Sequence, residues 1–343
     1  MLSGWRSGGA AVVAVAGTII GAGIASAAEV NIYSYRQEEL IKPQLEAFKK
    51  ATGISYNLIT GSASGLLQRL KTEGANSPAD VLFTVDAGRL THAMAMGLLQ
   101  PTRSKMLEKY IPAHLRDPQG RWFGLGARAR AIFYHVDRVK PSELSTYEDL
   151  ASPKWKGKIL IRSSSNIYNQ SLLASLIHHH GAKKAEDWAR GMVANLARKP
   201  QGGDRDQLRA VAAGEGDIAI SNNYYYARLL DSEKDADRKV TSKVKVFWPN
   251  QKDRGTHINI SGAGITKSSK NKENAIKLLE FLVSEEAQKI YAEVGHEFPV
   301  RDGVPRGEVV SSMGTFKMDN IPLDVLGKNN AEAVRIFDRV GWR

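Results

Sequence analysis

The sequence predicts an α/β protein of two lobes, each a mainly parallel sheet flanked by helices. Three observations carry that expectation. The 343 residues exceed one ordinary core and suit two domains of about 150 residues each. Strand and helix signals alternate along the chain after residue 28. No low-complexity linker separates the halves, so short hinge strands should carry the chain between lobes, near 127–130 and 253–258.

Residues 30–33 read as the first strand. A helix follows over 43–50, with Pro43 near its start and Gly53 near its end. Ile54, Tyr56 and Leu58 alternate as a second strand does. Leu66, Leu67 and Leu70 mark a short helix, 81–83 a buried strand, and 87–96 another helix. This βαβαβ order implies parallel strands covered by helices. A second set begins near Arg128, with strands at 131–136, 158–162 and 217–221. Helices are expected over 170–180, up to Gly214, and up to about Leu230. Residues 258–265 are extended, and helices 272–282 and 285–294 close the pattern. The expected division is an N-terminal lobe over 29–128, rejoined by 257–305, and a C-terminal lobe over 129–256, rejoined by 306–343.

The first 28 residues are of another kind. They hold one charge, Arg6, then an apolar stretch from Ala10 to Ile24, then Ala25-Ser26-Ala27-Ala28. These are the parts of a secretory signal, with cleavage expected after Ala27 or Ala28 and export to the periplasm. An uncleaved anchor helix would have no use for the small-residue ending. No later run is apolar enough to span a bilayer. Cysteine is absent, which excludes a lipid-anchored Cys, disulfides, Fe–S clusters and thiolate zinc sites. Any metal must be held by oxygen or nitrogen. The net charge of +12 is spread along the chain and forms no basic arm, so nucleic acid is not an expected partner.

In open α/β sheets, ligands bind beyond the carboxyl ends of strands. Those positions hold Arg36 and Gln37 after the first strand, Asp86 after the third, and Tyr168 and the run Tyr224-Tyr225-Tyr226 in the second set. A phenol, with a pKa of about 10, is a poor ligand at neutral pH. A hard trivalent cation stabilises phenolate more than the proton does, and Fe(III) is the biologically common one. Three phenolates would cancel its charge. The bland alternative is packing, since a Tyr ring is apolar and its hydroxyl can stay wet. Neighbouring helical residues point about 100° apart, so Tyr224 and Tyr225 can share a metal only from a turn or helix start. Tyr226 is expected to pack away.

Arg128 and Arg130, near the hinge, would favour nearby phenolates and could bridge to an anion. Arg36 and Gln37 offer donors to a small oxyanion such as carbonate. Asp86 reads as a cap for the helix that follows it. His178, His179 and His180 point in three directions on a helix and cannot converge on one ion. Ser163, Ser164 and Ser165 lack a partnered base, and no nucleophile-elbow or zinc-protease motif is present, so a secreted hydrolase is a remote alternative and no catalytic residue is expected.

At these segments the chain resembles the periplasmic ferric-ion-binding proteins of bacterial ABC importers. The segments are VNIYSYRQ at 30–37, DVLFTVDAG at 80–88, GARARAIFY at 126–134, WKGKILIRSSSNIYNQ at 155–170, LRAVAAGEGDIAI at 208–220 and NNYYYAR at 222–228. The resemblance implies a two-lobed periplasmic-binding-protein type II fold. It implies Fe(III) held by Tyr168, Tyr224 and Tyr225, with an Arg among 128–130 in support. Many members carry a His or His-Tyr ligand shortly after the first strand, where this chain reads Arg36-Gln37-Glu38. That departure is similar to a three-tyrosine subgroup that completes the metal with carbonate or water, the anion lying near Arg36 and Gln37. The implied partner is an inner-membrane ABC permease, served by a monomer that is not an enzyme. The nearest alternative keeps the fold and changes the cargo to a polyamine, thiamine, phosphonate or other oxyanion.

Overall fold

The computed structural model describes residues 1–2, 4 and 28–343. Apart from residues 1, 2, 4 and 28, the expected secretory segment lies outside the described residues.

Eight strands are present among these residues: β1 (Glu29–Ser34), β2 (Ser55–Thr60), β3 (Val81–Val85), β4 (Phe123–His135), β5 (Ile159–Leu160), β6 (Ile218–Asn222), β7 (Val244–Phe247) and β8 (Ile258–Ile265). They run in the order β2-β1-β3-β8-β4-β6-β5, with β7 also paired to β4. Pairing is parallel at β1–β2, β1–β3 and β5–β6. It is antiparallel wherever β4 or β8 takes part with β3, β6, β7 or each other. The sheet is parallel in its outer parts because helices carry those crossovers, and antiparallel at its centre because two long strands pass between the halves.

The 13-residue β4 makes this connection, and every residue in it is buried. Ala129 still pairs with Ile258 of β8, and Arg130 already pairs with Asn222 of β6. One continuous strand therefore pairs with β8 up to Ala129 and with β6 from Arg130 onward. The backbone there is fully paired. Asn223 Oδ1 accepts from Ala129 N at 2.8 Å, and His257 O accepts from Arg130 N at 3.0 Å. The buried Tyr147 hydroxyl donates to Arg130 O and accepts from His257 N.

Local chemistry explains the element bounds. The first helix spans Glu38–Thr52, one turn earlier than Pro43 suggests, and its opening Glu38 and Glu39 suit the positive end of the helix dipole. Gly53 ends it at φ 72°, a conformation that a Cβ disfavours. Leu40, Ile41, Leu45 and Phe48 form its buried face. β5 is only two residues long because the chain turns away after Ile161; Asn169 Nδ2 binds the carbonyls of Arg162 and Ser163.

Helix Asn330–Val340 and Trp342 pack on the second lobe, where Trp342 Nε1 donates to Arg162 O at 3.2 Å. Helix Asp324–Lys328 touches both lobes. A Cβ on Gly327 would lie 2.4 Å from Thr91 Cβ of helix Ala87–Ala95, while Asn329 Nδ2 donates to Ala174 O of helix Ile167–His180.

Candidate metal centre

Tyr168 is the second residue of helix Ile167–His180, whose start is fixed by Asn166 Oδ1 accepting from Tyr168 N at 3.1 Å. Tyr224 and Tyr225 are the second and third residues of helix Asn223–Leu230, directly after β6. Asn223 anchors that start, since its side chain binds Ala129 N and donates to His296 O at 3.2 Å. Asp204 Oδ2 takes Asn222 N at 2.9 Å. In this first turn the rings of Tyr224 and Tyr225 lie 4.1 Å apart at 33°, so adjacent residues face one way.

The hydroxyls of Tyr168 and Tyr224 stand 3.3 Å apart. Both tyrosines are buried, and Tyr225 is partly exposed beside them. All three line a cleft of about 280 Å³ with Tyr35, Arg36, Gln37, Leu40, Val85, Arg128 and Glu297. Gln37 makes no side-chain bond to the helix it precedes and faces the cleft. The cleft thus brings together Tyr168, Tyr224, Tyr225, Arg36, Gln37 and Arg128, and of the residues expected to hold metal or anion only Arg130 does not line it. Arg130 lies 5.9 Å from the Tyr168 ring centre but is committed elsewhere: to Asp204 at 3.1 Å, Asn222 at 3.1 Å and Asn169 at 2.6 Å. Arg128, 5.3 Å from the same ring, lines the cleft together with Arg36.

Arg36 and Arg128 are joined by groups that sequence reasoning missed. Arg36 Nη1 binds Glu297 Oε1 and Ser261 Oγ, each at 2.6 Å, and Ser261 Oγ also accepts from Arg128 Nη1 at 3.0 Å and lies 2.9 Å from Glu297 Oε1. Burial disfavours the Arg36 charge, but Glu297 and Tyr291 more than offset it and the pKa is raised. Burial also opposes the Arg128 charge, which Tyr168, Glu297, Tyr224 and Asp86 outweigh. Nε and Nη2 of both arginines are buried donors without a partner among the described residues. Buried donors left unpaired are costly, and a small oxyanion would satisfy them. Glu297 follows a helix rather than a predicted strand, and Ser261 sits inside β8, so a census of strand ends could not find either.

The Tyr168 and Tyr224 phenols are held in the protonated form. Burial raises the Tyr168 pKa first, and the neighbouring Tyr225 adds to it, against a lowering by Arg128. Burial raises Tyr224 well above its usual value, and Tyr168 and Tyr225 add to it. Any metal held here must expel those protons. No three His, Asp or Glu side chains cluster as metal ligands among the described residues, so phenol oxygens are the donor set on offer. That set suits a hard trivalent ion.

The remaining candidates find structural places. Tyr226 donates to Val244 O at 2.7 Å and packs on Phe133. Asp86 caps helix Ala87–Ala95 through Gly88 N, at a φ of 82°. His179 meets Asp319 and His180 meets Glu148, each at 2.7 Å, so the histidines do not converge. Ser163 Oγ and Ser165 Oγ bond each other at 3.1 Å.

A two-lobed α/β body with a polar cleft at its hinge defines a solute-binding protein. The chain belongs to the bacterial extracellular solute-binding protein family, whose model matches residues 76–315. It is 50% identical to Iron uptake protein A1 of Synechocystis sp. over 315 residues, 92% of this chain and 88% of that one. A solved Trichodesmium IdiA/FutA structure in complex with iron and citrate ligands superposes with a TM-score of 0.89 at 55% identity, covering 92% of this chain and 100% of that one. The ferric iron-binding protein A of Mannheimia haemolytica, in an open conformation, superposes with a TM-score of 0.87 at 47% identity over 92% and 99% of the two chains.

Proposed function

We propose that this protein captures Fe(III) in the cleft through the phenolates of Tyr168, Tyr224 and Tyr225 and delivers it to an ABC permease of the inner membrane. The observation that carries the reading is the 3.3 Å approach of the Tyr168 and Tyr224 hydroxyls, with Tyr225 stacked beside them. The names of the iron-binding relatives support the cargo. The protein works in the periplasm as a monomer and catalyses no reaction. Its hinge divides the lobes within β4, with 29–128 and 257–305 in one and 129–256 with 306–343 in the other.

In this mechanism the open protein meets iron on the tyrosine face of the C-terminal lobe. Each phenol that binds gives up a proton. The unpaired donors of Arg36 and Arg128, with Gln37 beside them, would hold a carbonate that supplies anionic oxygen to the metal, and the lobes close by bending near Ala129 and Arg130. The Glu297 carboxylate holds the Arg36 fork in place and keeps two buried cations from facing each other unopposed.

An aerobic ferric titration of the mature protein, with and without hydrogencarbonate, tests this. Colour saturating at one equivalent, and tighter with hydrogencarbonate, is the expected result. A colourless protein would end the iron reading.

A further inference from the structure

Three guanidinium groups surround the Tyr168 ring: Arg128, Arg130 and Arg162 lie 5.3, 5.9 and 5.8 Å from its centre. Arg128 lines the cleft. Arg130 and Arg162 share one counter-ion, Asp204, which is 1% exposed. Asp204 opens helix Asp204–Ala213, where an acidic residue ordinarily serves the helix start. Here Asp206 does so instead, its Oδ2 accepting from Gly203 N at 2.7 Å.

The Asp204 carboxylate bonds three other segments. Oδ2 accepts from Asn222 N, at the end of β6, at 2.9 Å, and from Arg130 Nη1, in β4, at 3.1 Å. Oδ1 accepts from Arg162 Nη1, just past β5, at 3.5 Å. These bonds close into a ring. Arg130 Nη1 also reaches Asn222 Oδ1 at 3.1 Å, and its Nη2 reaches Asn169 Oδ1 at 2.6 Å. Asn169 Nδ2 donates to Arg162 O at 2.8 Å, and Arg162 returns to Asp204. Asn169 adjoins Tyr168, and Asn222 stands two residues before Tyr224. The ring therefore ties together the two turns that present the phenols. Its side chains, Arg162 apart, are buried.

We infer that Asp204 is a positioning residue of the iron site: by holding this ring it sets the spacing between Tyr168 and Tyr224. The inference rests on the ferric reading of the cleft and deepens it by naming the group that aligns the ligands. Two phenolates on one iron repel each other, so a rigid frame behind them keeps the first in place as the second binds. A neutral side chain at 204 would leave two guanidinium groups without their counter-ion and open the ring. Asp204 acts through Arg130, Asn222 and Asn169 rather than on the metal.

The test loads the mature protein from ferric nitrilotriacetate. It reads the visible band, the ferric electron paramagnetic resonance line shape and the rate of iron loss to excess EDTA. Band and line shape report the geometry of the ligands around iron, which a general loss of stability does not move. Asp204→Asn should shift both and speed iron loss about tenfold, the scale of one hydrogen bond to a charged group. Arg130→Lys keeps a cation beside Asp204 but cannot reach Asn222 and Asn169 together, and should shift the spectra the same way. Tyr226→Phe, outside the ring, should keep the wild-type spectra. If Asp204→Asn does not fold, Arg130→Lys decides, since both ends of the pair must move the spectra. Wild-type spectra in the folded ring variants would overturn the inference, even with faster iron loss, and leave the ferric reading intact. Wild-type protein that takes up no ferric iron would sink the ferric reading itself.

Discussion

The hydroxyl of Ser171 lies 2.8 Å from each carboxylate oxygen of Asp86, a tie between helix Ile167–His180 and the end of β3. Ser171 stands one turn after Tyr168, so this bond fixes the helix that presents a metal ligand. Burial raises the Asp86 pKa despite Arg128 and Ser171, which makes each donor to it valuable. Ser171→Ala should cost about 1–3 kcal/mol in urea unfolding, because it strips a donor from a buried acid. An unchanged denaturation midpoint would show that the contact holds nothing in place.

Tyr225→Phe should weaken ferric binding strongly and leave thermal unfolding near wild type, since this ring is partly exposed. Tyr226→Phe should do the reverse: iron uptake persists, while the lost bond to Val244 O costs about 1 kcal/mol of stability. The pair separates ligand from packing residue in a single titration and a single melt. Equal iron affinities in the two variants would contradict the assignment.

Iron affinity should fall steeply as pH is lowered. The Tyr168 and Tyr224 pKa values are raised, chiefly by burial, so the metal must displace a proton from each phenol. A plot of log Kd against pH should have a slope of about three in magnitude, tighter at higher pH, because each released proton contributes about tenfold per unit. Tyr225→Phe should reduce the slope to about two. A slope near zero, measured by competition with a chelator of known affinity, would mean that phenolates are not formed.

Stability without metal has its own pH dependence through His257. Burial, then Arg130 and Arg254, lowers its pKa from 6.5 to about 3. The folded state therefore prefers the neutral ring while the unfolded chain takes a proton below 6.5. Stability from this group is complete above 6.5 and drains away as pH falls toward the folded value. The expected loss is roughly 2 kcal/mol by about pH 5, seen as a falling Tm, and His257→Gln should flatten that slope. A variant with the wild-type slope would place the titration elsewhere.

The alternation of β1, its following helix, β2 and β3 was legible because β1 and β2 alternate apolar with polar residues, β3 is a short apolar run, and the helix between β1 and β2 carries a clear apolar stripe. The tyrosines were legible because they follow strand ends. Residues that act through distant contacts were not. Glu297 reaches Arg36 across 261 positions of sequence, and Ser261 reaches Arg128 across 133, and neither spacing leaves a local pattern. β4 was read only from Ala131, since its first half, Phe123 to Arg128, is glycine- and arginine-broken and owes its extension to pairing with β8. Helix Ala182–Ala194 carried a usable signal that went unread: Ala185, Trp188, Ala189 and Met192 recur at helical spacing and are buried.

Resonance Raman spectroscopy of the iron-loaded protein, excited in its visible band, addresses the phenolate claim most directly. The account predicts tyrosine-phenolate ring modes that weaken in Tyr168→Phe, Tyr224→Phe and Tyr225→Phe alike. Bound iron with no phenolate modes, or modes untouched by all three substitutions, would contradict it.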